Sequence, residues 1–366
     1  MNNIILKIYK NILSGILDGT YPPGSMLPAE TKIAEDFGTN RMNAHFAIKK
    51  LEKFGLLTRK KRVGTKINSN IDLETVESLL KETNRSIYIL YSMTPHWVHW
   101  NEASFAGIKE IVEPEGYSIS YRNIPTGQER VNYEELLNEV INTEASALVI
   151  FPDMEDSEFL RNNADLLRDL QIPIFMVNRS GEPIPMDMVS FVSMDPFGEG
   201  SKIGSILRKN NYRNIVMITD YDSFWGRKRL EGLKLGLKHG DKASGQKFES
   251  LGNKEADFAK IVEKIHSANG DIVVVPAHNE FAANFIDFAA KKGLKTTKDY
   301  KLVTFDDNPL YKSYNLTSLA IPMKEVGQVL AKLICDKSWL SNYRGRVSIK
   351  INSVLVVRDT FKPKII

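Results

Sequence analysis

The stretch LPAETKIAEDFGTNRMNAHFAIKKLEKFG, running from Leu27 to Gly55, decides how the N-terminal part of the chain folds. Pro28 has no N–H to leave unsatisfied and a φ already suited to a first helical turn, and Glu30 puts negative charge at the positive end of the helix dipole. Ile33, Ala34 and Phe37 share one face before Gly38 ends this helix. Beyond Thr39 a longer helix is expected from about Asn40. Its apolar stripe is Ala44, Ala47, Ile48, Leu51 and Phe54, with Arg41, Met42, His45 and Lys49 on the opposite face. Gly55 suits a helix end.

Upstream, Ile4, Ile5, Ile8, Ile12, Leu13 and Ile16 recur at helical spacing and stop before Gly19 and Pro22-Pro23-Gly24. Downstream, Leu56 to Arg59 and Thr65 to Asn68 read as two short strands around a basic turn. A supporting helix, a tight turn, a second helix with an exposed polar N-terminal half and a hairpin wing form a small α+β winged helix-turn-helix domain, assigned to residues 1–70. Charge agrees with that reading. These residues carry 12 Lys and Arg against 5 Asp and Glu, so they hold +7 where the whole chain is +4, and the rest is −3. A basic module on a mildly acidic body points to a polyanion as partner, double-stranded DNA. Arg41 is placed for a phosphate or a guanine edge, Asn43 for adenine, and His45 and Lys49 follow at one-turn intervals. Met42 is either a reader or a packing residue. Lys61 and Arg62 supply wing cations, and Gly64 lets backbone approach the minor groove.

Over residues 4–68 the chain resembles the GntR family of bacterial regulators. The matching pieces are Tyr21-Pro22-Pro23-Gly24, Leu27-Pro28-Ala29-Glu30, Asn40-Arg41, Ala47-Ile48-Lys49-Lys50-Leu51-Glu52, Gly55-Leu56-Leu57 and Gly64-Thr65. The resemblance implies DNA contacts at Thr31, where the family often has Arg, at Arg41, and at His45, where a second Arg is usual. Arg62-Val63-Gly64 stands in place of Gly-x-Gly.

Residues 71–85 are read as a linker with a docking helix, from one amphipathic stretch at Leu73, Val76, Leu79 and Leu80. From residue 86 to 366 apolar runs alternate with helical patterns: 87–92, 117–123, 147–152, 172–178, 191–195, 214–219, 271–277 and 301–307. Such alternation predicts parallel sheets covered on both faces. In open parallel sheets ligands bind beyond the carboxyl ends of the strands. Those ends carry Trp97, Trp100, Arg179, Asp195, Trp225, Asn279 and Asp306, aromatic plates with scattered polar groups that suit a sugar or base ring. Trp97 and Trp100, three apart, equally suit one core face.

This part resembles the sensor domain of the LacI family, akin to periplasmic sugar-binding proteins. The likeness is carried by Ala106-Gly107-Ile108, Met194-Asp195 with Gly198 to Gly204, Arg229-Leu230-Glu231-Gly232, His278-Asn279-Glu280, Phe305-Asp306-Asp307 and Leu316-Thr317-Ser318 with Ile321-Pro322. It implies a two-lobed α/β domain of periplasmic-binding type I, with crossovers near 210, 318 and 346, and makes Arg229 and Asp306 the first choices for ligand contact. Pairing of Arg229 with Glu231 or Asp222 is the alternative. Together the two resemblances are to the arabinose-repressor type of regulator: a homodimer released from operator DNA by a small sugar-like effector.

No enzyme is expected. The chain has no Gly-x-Gly-x-x-Gly or Walker loop, no Gly-x-Ser-x-Gly elbow and no metal-ligand spacing, so neither cofactor nor metal is assigned. Cys335 is the sole cysteine, and the polar residues inside the first apolar run argue against a signal or a membrane span. A cytoplasmic location follows as the expectation. The other reading is a cytoplasmic solute-binding protein of transport type.

Overall fold

The computed structural model describes residues 3–60, 63–81, 83, 85–92, 98–124, 133–142, 145–151, 164–170, 172–178, 188–238, 246–268, 271–336 and 346–365. The first 89 residues fall in one compact unit and residues 149–366 in another.

Three helices build the N-terminal domain: α1 (Asn3–Leu17), α2 (Glu30–Asp36) and α3 (Arg41–Lys53). Pro28 stays outside α2, whose first backbone bond runs from Ile33 N to Ala29 O at 3.0 Å. The turn between α2 and α3 depends on Gly38, at a φ of +57° that penalises any side chain. Asn40 caps α3, its side-chain oxygen accepting from Asn43 N at 3.0 Å. Strands β1 (Leu57–Lys60) and β2 (Gly64–Ile67) pair antiparallel with Leu57 opposite Ile67 and Lys60 opposite Gly64.

Ile12 and Leu13 of α1, Ile33 of α2, Ile48 and Leu51 of α3 and Ile67 of β2 meet in one core. Four of the five residues expected on the inner stripe of α3 are buried there, but Phe54 is 47% exposed. It sits at the C-cap, where the chain leaves the helix and the stripe no longer faces inward. Helix α4 (Leu73–Lys81) is the docking helix expected within the linker segment, and it places Val76 and Leu79 in this same core.

The remaining chain forms two six-stranded sheets among the described residues. The first has the order β13-β7-β6-β5-β3-β4, from β3 (Ser86–Ser92), β4 (Ser118–Ile124), β5 (Ala147–Phe151), β6 (Ile174–Asn178), β7 (Val189–Met194) and β13 (Ser348–Ile351). The second has the order β14-β12-β11-β10-β8-β9, from β8 (Asn214–Ile218), β9 (Lys247–Leu251), β10 (Ile272–Pro276), β11 (Lys301–Asp306), β12 (Thr317–Ala320) and β14 (Val354–Val356). In this second sheet β8 to β12 run parallel to one another, and β14 pairs antiparallel on β12. Strand β10 is buried along its whole length and β11 from Leu302 onward, as the continuous apolar runs require. The apolar runs alone do not reveal β9, β12, β13 and β14, which are five residues or shorter.

Further helices are α5 (Val98–Val112), α6 (Tyr133–Asn142), α7 (Ala164–Asp169), α8 (Pro196–Lys209), α9 (Phe224–Leu237), α10 (Glu255–Ala268), α11 (Asn279–Lys291) and α12 (Met323–Cys335). Helices α8 and α9 touch backbone to backbone. A Cβ on Gly200 would lie 2.1 Å from Arg229 O, one on Gly204 2.5 Å from Leu233 O, one on Gly232 2.0 Å from Phe197 O and one on Gly236 2.2 Å from Ser201 O. Gly200 and Gly204, which follow β7, therefore serve close helix packing. Gly107 on α5 and Gly327 on α12 make the same kind of contact, each 2.0 Å in this sense from a carbonyl of the other helix.

Candidate functional site: a nucleic-acid face and a ligand-end cluster

On the N-terminal domain the candidate face is organised by Glu30, the first residue of α2. Its side chain is 10% exposed and takes Arg41 Nε at 2.9 Å, His45 Nδ1 at 3.0 Å and the Arg59 guanidinium. One carboxylate thus ties α2 to α3 and to β1. Burial pushes the Glu30 carboxyl up, but hydrogen bonds to His45 and Arg41 and the Arg59 charge together hold it below the usual range. It stays ionised, and Arg41, still 68% exposed at its side chain, is held in a fixed orientation.

Thr31, Met42 and Lys49 are exposed around that centre. Asn43 is committed locally, with Nδ2 donating to Thr39 Oγ1 at 2.7 Å. Gly64 has a φ of +119°, and a Cβ there would sit 2.8 Å from Met26 Cε. Lys61 and Arg62 lie outside the described residues. Two members of this surface are invisible to local sequence patterns. Arg59 joins through a contact 29 residues away, and Phe46, 48% exposed, lies on the outward side of α3.

In the second sheet the candidate residues gather at the carboxyl ends of β8, β10 and β11. The order β9-β8-β10-β11 reverses direction between β8 and β10, the place where open parallel sheets form a crevice. Asp306 ends β11 with a φ of +79°, a backbone conformation that costs energy for any residue with a Cβ and concentrates at functional sites. Arg229, on α9 after β8, is buried and paired with Glu199 and Asp306 rather than with Glu231 or Asp222. Its Nη2 lies 2.8 Å from Glu199 Oε2 and 2.5 Å from Asp306 Oδ1, while Nη1 donates to Ala277 O at 2.7 Å. Glu231 instead pairs with Lys228 at 2.6 Å.

Glu199 also accepts from Ser353 Oγ at 2.5 Å. Burial raises the Glu199 carboxyl above its usual range, opposed by the Arg229 charge and reinforced by Asp306. The Arg229 guanidinium is shifted up. Burial works against its charge, but Asp306 and Glu199 outweigh that effect.

Over this ionic group lies an aromatic wall. Arg229 Cζ is 5.3 Å from the centroid of Trp225, whose ring is 5.6 Å from that of His278 and 6.3 Å from that of Phe281. His278 Nε2 stands 3.4 Å from Asp306 Oδ2, a buried oxygen that accepts no hydrogen bond among the described residues. His278, two residues after β10 and already among the strand-end residues beside Asn279, thereby joins the cluster.

Asn279, beside it, is spent inside the fold: Oδ1 accepts from Asn308 N at 2.6 Å and Nδ2 reaches Ser318 Oγ at 3.4 Å. Asp307 makes a two-point pair with Arg358 at 2.5 and 2.9 Å. Asp195 precedes α8 and lies 3.4 Å from Lys350 Nζ. Trp100 is buried on α5, 6% exposed. Trp97 and Arg179 lie outside the described residues. Among those residues no group of three or more His, Cys, Asp and Glu is placed to hold a metal ion, and no helix is long and apolar enough to cross a membrane.

Residues 4–67 match the family model "Bacterial regulatory proteins, gntR family". Over 65 residues the chain is 32% identical to the uncharacterized HTH-type transcriptional regulator YieP of Escherichia coli, covering 18% of this chain and 28% of that protein. It is 33% identical over 84 residues to the fatty acid metabolism regulator protein of Vibrio cholerae, covering 21% and 30% respectively. The chain thus spans less than a third of the length of these relatives.

Among solved structures, a LacI family transcriptional regulator from Enterococcus faecium with bound ribose is similar at a TM-score of 0.53 and 17% identity, over 76% of this chain and 99% of that one. The transcriptional regulator CelR in complex with cellobiose matches at a TM-score of 0.55 and 16% identity, over 92% and 100%. At these identities the likeness is one of fold. It extends a GntR-type helix-turn-helix into a two-lobed α/β architecture of LacI and periplasmic-binding type.

Proposed function

We propose that this chain, a GntR-type DNA-binding domain joined to a LacI-like α/β domain, is a ligand-responsive transcriptional regulator and not an enzyme. The observation that carries the reading is the Glu30 clamp. One half-buried carboxylate orients Arg41 and His45 on a capped helix of a domain with a net charge of +7. The DNA contacts proposed are Thr31, Arg41, Met42, Asn43, His45 and Lys49, with the wing through Lys61, Arg62 and Gly64. Two such helices in a homodimer would enter successive major grooves about 34–36 Å apart.

For the effector we propose a small neutral polyhydroxyl compound of the sugar class, held through Trp225, His278, Arg229 and Asp306. Support comes from the aromatic wall beside an unsatisfied carboxylate oxygen. The sugars bound by the two fold relatives favour the same class. Release of the operator on binding, with repression of carbohydrate-use genes in the free state, completes the reading. Domain limits of 1–70, 71–85 and 86–366 are proposed with it.

The test is fluorescence anisotropy of the full chain on labelled duplex DNA over a salt series, followed by addition of monosaccharides and disaccharides. Affinity should fall steeply with salt, because each phosphate contact releases a counterion. One sugar should then displace the DNA and raise thermal stability, and Asp306→Asn should abolish both effects. Salt-insensitive retention would remove the regulator reading, and indifference to every sugar would remove the effector class.

A further inference from the structure

On α3 each residue turns the helix by about 100°. Ala44, Ala47, Ile48 and Leu51 are buried, so the line directly opposite them runs through Met42, Phe46, Lys49 and Lys53. Met42 is 55% and Phe46 48% exposed, one turn apart. A single exposed apolar side chain needs no explanation, but this pair occupies the middle of the outward face. Its flanks are cationic: Arg41 at the start, Lys49 and Lys53 further along, all exposed. The Phe46 ring is braced edge-on by His45, centroids 5.9 Å apart at 72°, and His45 is itself held by Glu30.

Charge decides what covers such a face. A second copy of this domain would bring like charges together, whereas a nucleic acid duplex brings phosphates to the lysines. On the floor of the major groove the prominent apolar group is the C5-methyl of thymine.

We propose that Met42 and Phe46 are specificity-determining residues that read thymine methyl groups in the major groove. This rests on the DNA-binding reading above. Four residues of helix rise about 6 Å, and two base steps about 6.8 Å. The pair therefore spans two thymines about two steps apart in each half-site, while Arg41 and Lys49 contact the flanking polar edges and phosphates.

The experiment equilibrates the full chain with a pool of random-sequence duplexes, enriches the bound fraction, and then replaces each dT of the winning site by dU. That exchange removes only the methyl group and leaves the protein untouched. Affinity should fall about fourfold per methyl at one or two positions in each half-site, as loss of one buried methyl predicts. In Phe46→Ala the penalty at one of these positions should disappear, and in Met42→Ala the penalty at the other. Methyl-insensitive binding at every position overturns the inference while leaving the regulator reading intact. So do dU penalties that persist unchanged in both variants, or a Phe46→Ala protein whose oligomeric state changes while its DNA affinity does not. Failure to enrich any duplex overturns the regulator reading and the inference with it.

Discussion

Replacing Arg229 by Met keeps much of the side-chain volume and removes the cation that pairs with both Glu199 and Asp306. Those two side chains are 3% and 4% exposed, so water cannot take over the role of the guanidinium. Removing one partner of a buried ion pair costs about 3–5 kcal/mol, because the remaining charge is left without compensation. At about 2–4 °C per kcal/mol for a unit of this size, the melting temperature of the LacI-like part should drop by roughly 6–20 °C at neutral pH.

The pH dependence has a definite sign. Burial holds the Glu199 carboxyl above its ordinary range, and loss of Arg229 raises it further. A group whose pKa is higher in the folded state adds stability below its unfolded pKa and loses that contribution as pH rises through the folded value. The deficit of the variant should therefore shrink as the solution is acidified toward the ordinary carboxylate range. Thermal unfolding followed by circular dichroism at pH 7 and pH 5 measures both effects. The triple variant Glu199→Gln, Arg229→Met, Asp306→Asn, which leaves no buried charge, should recover part of the loss. A loss below about 1 kcal/mol in Arg229→Met, well under the cost of breaking a buried pair, would refute the electrostatic account. An undiminished deficit at pH 5, or a triple variant as unstable as the single one, would do the same.

Other expectations can be checked on the same protein. Glu199→Gln alone keeps hydrogen-bonding capacity without charge, so melting curves should show a flatter pH dependence between the ordinary and raised carboxylate ranges. Gly204→Ala drives a methyl group to 2.5 Å from Leu233 O and should cost about 1–3 kcal/mol in urea unfolding as the two helices are forced apart. Asn40→Ala removes the cap of α3 and should cost about 1 kcal/mol, read as a lower denaturation midpoint of the N-terminal domain. Lys49→Ala should weaken binding about equally on all duplexes and reduce the salt slope by about 1, as expected for a phosphate contact.

How much of this was legible beforehand follows from the range of each interaction. Helices α1 to α3, the turn at Gly38 and the hairpin are fixed by caps, periodicity and breakers within a few residues, and all can be read locally. Phe54 misleads because helical spacing continues on paper one residue past the end of the helix. The buried strands of the second sheet announce themselves as apolar runs, whereas β9, with its partly exposed alternation, does not. Partners far apart in sequence are harder. Arg229 has acids within seven residues on either side, yet it takes Glu199 and Asp306, 30 and 77 positions away. Glu30 meets Arg41, His45 and Arg59 at separations of 11, 15 and 29. No local pattern encodes which of several nearby acids a buried cation will choose, because the sheet order makes that choice.

The crossing of α8 and α9 at Gly200, Gly204, Gly232 and Gly236 bears on redesign. The carbonyl of Arg229 itself lies against Gly200, so the start of the α9 chemistry is located by main chain resting on main chain. The side chains of Trp225 and His278, at the carboxyl ends of the strands, are not part of that joint. Of the two, His278 also caps the following helix by accepting from Glu280 N at 3.3 Å, so exchange at Trp225 disturbs the backbone least. If the proposed effector site is correct, laboratory evolution toward another small molecule should accumulate changes at Trp225 before His278 and leave the four glycines alone.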